Sequence, residues 1–520
     1  MSAPFDAIVI GAGHNGLICA LELARGGRRV LVVESAAHAG GAAITRNFAP
    51  GFKVSACAHL LHALPQSVLE DYTLEQHGLK FAARAMPTHA LSASGEVLRI
   101  GAQDIAGNGA TTTDSAQFPD FRQRMTRYAG VFHSVMGMTP PRLSLTRWSE
   151  RFDLLRLGLR IRLLGKKQMR ELLRIGGMNA YDLLDDNFTG DLLKGALAFD
   201  ATLGAEYGPR SPGTVLTWLY RLAGEHGSGT LGLAQPAGGM GAFSDALAAA
   251  CKKAGVEIRL SAPVQRILVA NDHASGVRLV SGEEIAASTV ISSADLRTTF
   301  FKLLGTEHLD TGFVRRVDHF RARGLVAKLH LALRAQPVFK GVDEAALRGR
   351  LLISPSMDYL ELAFNPSKYR EVPTDPAMEI TLPSLNDSTL APPGQHVLSA
   401  LLQFVPYDLG PDPVAARADL LENTLATLER HAPGIRQLVM ATELLTPSDL
   451  EREFGLAGGH WHQGALSFDQ FFVNRPIPQG QQYQSPLPGL FMCGAACHPG
   501  GSVMGYAGRN AARAVLAQGV

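Results

Sequence analysis

The stretch Phe5-Asp6-Ala7-Ile8-Val9-Ile10-Gly11-Ala12-Gly13-His14-Asn15-Gly16 decides the fold. An apolar run of strand character ends in a G-x-G-x-x-G turn, and helix-forming residues follow at once from Leu17 to Leu23. In such a unit the first glycine allows the tight turn and the second lets the backbone approach a pyrophosphate. The third lets the helix pack close to the strand. The helix then begins with free N–H groups facing the anion, which assigns Gly11, Gly13, His14, Asn15 and Gly16 to the phosphate end of a dinucleotide site. A second apolar strand, Arg29 to Val33, ends at Glu34, about 20 residues past the glycines, where an acid holds a ribose 2′-hydroxyl.

The chain also contains a decoy. Gly227-Ser228-Gly229-Thr230-Leu231-Gly232 fits the same pattern but follows helical sequence, Thr214 to Leu222, and reads as a loop. Glu34 argues against NADP, because a 2′-phosphate would meet a carboxylate. Gly40-Gly41 follows shortly after, and this acid-then-Gly-Gly extension resembles the long dinucleotide motif of FAD-binding oxidoreductases. In those proteins the paired glycines let the chain pass close to the pyrophosphate and ribitol. The arginine that usually follows is replaced here by Ala42-Ala43.

At 520 residues, 46% hydrophobic and 18% charged, the chain is globular and long enough for more than one structural domain. Five cysteines without framework spacing fit a reducing compartment. The nucleotide strand starts at residue 5 and leaves no room for a signal peptide, and no apolar run reaches the roughly 18 residues of a membrane span. The expectation is a cytoplasmic protein. Its net charge is only +2, yet ten basic and three acidic residues fall between Arg142 and Arg174. Within that region Trp148, Phe152, Leu155, Leu159 and Leu163 form an apolar helical stripe flanked by arginines. Two readings apply: a helix packed by its stripe on its own domain, which is the favoured one, or peripheral membrane contact through residues 142–174. No nucleic-acid module accompanies the basic patch, so nucleic acid is not an expected partner.

Further along, short strands around a Ser94-Gly95 turn precede a mostly helical stretch from Phe118 to Leu222. Strand-like pieces then cover Glu257–Leu260, Val264–Val269, Gly276–Val280 and Thr289–Ser292. Four ordered segments are similar to the bacterial-type phytoene desaturase and carotenoid oxidoreductase family. They are Pro236-x-Gly-Gly-Met240-Gly241; Ser292-Ser293-Ala294-Asp295; Gly458-Gly459-His460-Trp461-His462-Gln463-Gly464 with Asp469-Gln470 and Arg475-Pro476; and Cys493-Gly494-Ala495-Ala496-Cys497-His498-Pro499-Gly500-Gly501. The third resembles one branch of that family in particular.

The resemblance implies an α/β fold of amine oxidase or phytoene desaturase-like architecture: a Rossmann-type FAD-binding domain with an inserted mixed α+β substrate domain. The FAD domain would be discontinuous, 1–90 plus 225–310 plus 460–520, with 91–224 plus 311–459 forming the substrate or cap domain. Family likeness places Val264 at the adenosine end and Ser293, Gly494, Gly501, Ser502 and Val503 along the cofactor. His498 would pass beside the isoalloxazine ring, and a helix from Val503 to Leu516 would aim its positive end at the flavin. Relatives carry Gly-Asp where this chain has Gly494-Ala495.

The remaining chemistry is sparse. A disulfide reductase needs a redox-active cysteine pair beside the flavin, and Cys493/Cys497 read instead as small residues of the flavin loop. His498, His462 and His59 are the catalytic candidates, with proton handling as their role; His62 and His460 lie in the same segments. The H-x-H of His460 and His462 lacks further ligands, so no metal is assigned. The expected activity is FAD-dependent removal or relocation of hydride on C–C bonds of a largely apolar, polyene or lipid-like substrate. A flavin amine or alcohol oxidase and an FAD-loaded regulatory protein with little turnover remain as alternatives. Oligomeric state and electron acceptor are left open.

Overall fold

The structure, a computed structural model, describes residues 5–142 and 148–518. Strand Phe5–Ile10 lies inside a seven-stranded sheet, parallel to Val30–Val33 on one side and to Glu284–Ser292 on the other. Its apolar run is explained by that position, since a parallel strand is covered on both faces; Ile8 and Val9 are fully buried. Glu257–Arg259 extends the sheet beyond Val30–Val33. On the other flank the first half of Glu284–Ser292 pairs antiparallel with His273–Leu279, while Val290 to Ser292 pair in parallel with Leu490–Met492. Three distant stretches of chain therefore build one sheet.

Helix His14–Arg25 packs between helices Met240–Lys253 and Tyr506–Leu516 on this sheet. Gly508 permits the closest approach: a Cβ there would stand 2.1 Å from the Asn15 carbonyl oxygen. The last helix begins at Tyr506, three residues later than the sequence expectation, because Ser502, Val503 and Gly505 all take positive φ and break helical geometry.

A second sheet of eight strands runs in the order Val439–Leu445, Val326–Leu333, His396–Gln403, Met378–Thr381, Arg350–Ile353, Thr88–Leu91, Val97–Ile100, Ile105–Ala106. Strand Thr88–Leu91 belongs here, hydrogen-bonded to Arg350–Ile353, so the first nucleotide-binding segment stops short of residue 90. The hairpin Thr45–Ala49/Phe52–Ser55 also leans on this sheet, Phe52 and Val54 packing with Ala332 and Val397. Helices Thr112–Met136, Asp191–Thr202 and Thr214–Ser228 cover one side with a separate core. The 227–232 decoy ends the last of these helices and forms a single 3-10 turn.

The basic stretch corrects the favoured reading. Positions 143–147 lie outside the described residues, and Trp148–Leu163 is helical as expected. The apolar stripe is not the packing face, however: Leu154, Leu157 and Ile161, on the opposite side, are half-buried, while the stripe faces solvent. The helix has two apolar faces, and periodicity cannot choose between them.

Candidate active site

The glycine turn is built before any ligand arrives. Gly11 N–H donates to Val33 O at 2.8 Å, and Gly40 N–H to Ala12 O at 2.9 Å, pinning the Gly40-Gly41 segment against the turn. Ser293 Oγ donates to Ile10 O at 2.9 Å and fills the space beside Gly11, whose φ of +95° favours glycine. Glu34 accepts from Ala12 N–H at 2.7 Å and Ala36 N–H at 2.8 Å. A carboxylate has about four lone-pair sites, so acceptor capacity is left for ribose hydroxyls.

A cavity of about 410 Å³ starts at Glu34, Ser35, Pro263 and Val264, passes over Gly11, Gly13 and Gly16, and continues beneath Gly40 and Gly41. It then reaches Gly501, Ser502 and Val503 and opens into a chamber beside the second sheet. The residues present fit a dinucleotide. A Cβ built on Gly13 meets nothing within 4 Å, so the turn opens onto the cavity. Asn15 Oδ1 is buried without a partner at the first turn of the helix. Burial lowers His14 to about 4, leaving a neutral ring that also lines the cavity. Ser502 and Val503 hold φ of 92° and 53°, and a β-branched residue there is strained. Their loop is fixed by Tyr220, whose hydroxyl donates to Gly501 O at 2.7 Å.

Two expected residues lie outside the cavity. Gly494 packs where a Cβ would stand 2.5 Å from Ser293 O, and Ala495 beside it lines the cavity instead. His498 is buried behind the flavin loop; its Nε2 pairs with Val135 O at 2.9 Å and its ring lies 5.4 Å from Phe472. This histidine ties the loop to helix Thr112–Met136 and is not among the residues that line the cavity.

Arg475 is the hub that the family motif hides. It is fully buried, and its guanidinium donates to His462 O at 2.6 Å, Ala495 O at 3.1 Å and Cys497 O at 3.2 Å, among other backbone oxygens. Burial lowers its pKa to about 10. One side chain thus stitches the His460–Gly464 segment to the Cys493–Gly501 segment.

His59 and Glu379 line the chamber and belong to a buried polar network drawn from elements far apart in sequence. Strands place Lys328 and Glu379 on either side of Leu401 in one cross-strand row. His59 bridges them, its Nε2 at 2.7 Å from Glu379 Oε1 and its Nδ1 against Lys328 Nζ. Glu379 Oε2 accepts from Arg350 Nε at 2.6 Å, and Arg350 also holds Asp200 at 2.6 Å. Burial opposes the charge on Glu379, but Arg350 and His59 hold its carboxyl well below the usual range. Burial lowers Lys328 to about 7, against some recovery from Cys57 and Glu379. His59 falls to about 4 through burial and the nearby Lys328.

Arg221, His62, Trp461 and His462 complete the chamber. Arg221 is buried, with its Nε 3.2 Å from Asp200 Oδ1. Burial and then Arg221 lower His62 to about 3, and burial holds His462 well below its ordinary value, so both rings are neutral. His460 uses its Nδ1 to accept from His462 N–H at 3.1 Å, so this H-x-H pair braces its own loop.

Of the expected catalytic histidines, His59 and His462 line the chamber. Arg221, Lys328 and Glu379 belong to no motif in the sequence. A signal existed: Lys328 and Glu379 are lone charges in otherwise apolar strands, and a charge buried there must find a partner.

A glycine turn, a ribose acid and a Gly-Gly crossing that lead into a chamber define an FAD-dependent oxidoreductase. The chain belongs to the family of flavin containing amine oxidoreductases, whose family model matches residues 16–516. Pyridine nucleotide-disulfide oxidoreductase domain-containing protein 2 of Mus musculus is 34% identical to it, covering 98% of this chain and 93% of the relative. The phytoene desaturase (lycopene-forming) of Pseudescherichia vulneris is 24% identical and covers 98% of both chains. Among solved structures, a putrescine oxidase bound to putrescine matches over 100% of both chains with a TM-score of 0.60 at 16% identity, which shows the shared fold. All five cysteines are free and buried, and burial pushes Cys497 up to about 12.

Proposed function

We propose that the protein oxidises a C–C bond of a mostly apolar substrate that ends in an oxygen acceptor such as a carboxylate or carbonyl. The observation that carries this reading is the pairing of charges around the chamber. Glu379 and Asp200 are each taken up by Arg350, so neither carboxylate is free to hold a protonated amine. Arg221 has its Nε 3.2 Å from Asp200 and 3.7 Å from Glu225, and its side chain lines both cavities. A guanidinium in the wall suits an oxygen end group and repels an ammonium.

Bound FAD supplies a two-electron acceptor that takes hydride from carbon. The chain's own residues orient the substrate and handle the proton. Arg221 fixes the polar end, while Leu203, Leu401, Leu456 and Trp461 enclose the apolar body and exclude water. His62 and His462 are neutral imidazoles at the wall, able to take a proton from the carbon adjacent to the one that loses hydride. His59 has both nitrogens engaged and serves to position Glu379 and Lys328. The amine oxidase reading draws support from the family and from the fold shared with a putrescine oxidase.

The test is anaerobic. Purified holoprotein is mixed separately with unsaturated fatty acids, polyene hydrocarbons and a panel of amines while flavin absorbance is followed. Bleaching by the apolar compounds is expected. Bleaching by amines alone would overturn the proposal.

A further inference from the structure

We infer that the outer face of helix Trp148–Leu163 docks the protein on an anionic lipid surface. Five large apolar side chains on one face stand open: Trp148 is 82% exposed, Phe152 63%, Leu155 69%, Leu159 56% and Leu163 74%. Scattered exposed apolar residues are ordinary, but a continuous stripe along four helical turns is not. The helix needs none of it for folding. Its inner face, Leu154, Leu157 and Ile161, is already half-buried, and Glu150 is buried. On the next helix, Lys166–Ile175, Leu173 is 69% exposed while Leu172 and Ile175 are buried.

Charge identifies the occupant. On the helical projection Arg156 and Arg160 border one side of the stripe and Arg162 the other, all exposed. Arg151 lies over the Trp148 ring at 5.0 Å. The second helix adds Lys166, Lys167 and Arg170, which line a surface hollow. Ten of the chain's 49 basic residues but only three of its 47 acidic ones fall in this region, so the remainder of the chain carries an excess of acid. A second copy meeting this face through a two-fold axis would set cationic rims against each other. A bilayer with anionic headgroups accepts both parts: the stripe sinks to the acyl boundary and the rims meet phosphates. No described helix is long and apolar enough to cross a membrane, which makes this an in-plane contact. This docking is independent of the chamber chemistry and can be measured without turnover.

FAD-loaded full-length protein is floated with vesicles of phosphatidylcholine alone or mixed with phosphatidylglycerol. Binding to the mixed vesicles only is expected, weakening as salt is added. The Arg156→Gln and Arg160→Gln changes lower partitioning by about fivefold each. Phe152→Glu with Leu159→Glu lowers it on the order of tenfold or more, because the buried apolar area is lost. Both pairs replace exposed residues, and unchanged flavin content and circular dichroism confirm that the fold is intact. Three results would each overturn the inference: no binding of the wild type to mixed vesicles, equal binding by the Phe152/Leu159 variant, or a wild-type dimer that this variant dissociates.

Discussion

Replacing Glu379 by Gln probes the buried network with almost no change in volume. In the wild type the partners fix the His59 tautomer: Lys328 donates to Nδ1, so the Nε2 proton points at Glu379 Oε1. The glutamine can still offer its oxygen to Arg350, but its amide group then faces the Nε2 proton, donor against donor. Turning His59 to the other tautomer moves the conflict to Lys328. The only relief is a neutral Lys328, whose pKa therefore falls further below its wild-type value of about 7.

Breaking a buried ion pair costs about 3–5 kcal/mol, and Asp200 still partnering Arg350 points to the lower end. At roughly 2.1 cal/mol/K per residue, a chain of 520 residues has an unfolding entropy near 1.1 kcal/mol/K, so the melting temperature should drop by about 3 °C. The pH dependence has a definite sign. Between about 7 and the ordinary 10.5 the unfolded chain holds a proton on this lysine that the folded protein does not, so stability rises with pH across that window. In the variant the window opens at lower pH, and in Lys328→Met the rise attributable to this lysine disappears. Thermal unfolding of the three proteins over this range is the assay. A Glu379→Gln protein that melts with the wild type at every pH would refute the network as described.

Other outcomes follow from the same geometry. Gly13→Val should fold normally and lose FAD, since φ is −66° and a Cβ there meets only cavity, whereas Gly16→Ala should destabilise the apoprotein itself by about 1–3 kcal/mol, its Cβ standing 2.1 Å from Gly11 O. The flavin-to-protein absorbance ratio and the melting of the apo forms separate the two effects, and retained flavin in Gly13→Val would contradict the assignment. Arg221→Gln should raise KM for an acid-ended substrate roughly tenfold or more with little change in kcat, and leave hydrocarbon analogues unaffected; steady-state kinetics on the matched pair decides it. Cys497→Ala should reduce its flavin at the wild-type rate, because the thiol is buried and unionised at neutral pH; stopped-flow loss of flavin reduction would restore a thiol role.

The parts of the molecule legible in the sequence are those whose geometry is local. The turn from Gly11 to Gly16, Glu34 and Gly40-Gly41 announce a dinucleotide because each glycine answers a backbone demand within a few residues. The strand-like pieces at Val264–Val269 and Gly276–Val280 overlap the antiparallel strands Val264–Ala270 and His273–Leu279, the second of which begins three residues earlier than its sequence suggests. The chamber was not legible. His59 meets Glu379 across 320 positions and Lys328 across 269, and no spacing rule tells a buried charge which distant group will neutralise it. His498 sits inside a cofactor motif yet faces Val135 on a helix the motif does not mention. The stripe from Trp148 to Leu163 shows the converse: its amphipathic period is plain in the sequence, but only packing decides which of two apolar faces is spent on the protein and which is left for something else. Local backbone constraint settled the cofactor, while the long-range matching of charges and faces that shapes the chamber and the outer surface exists only once the chain is folded.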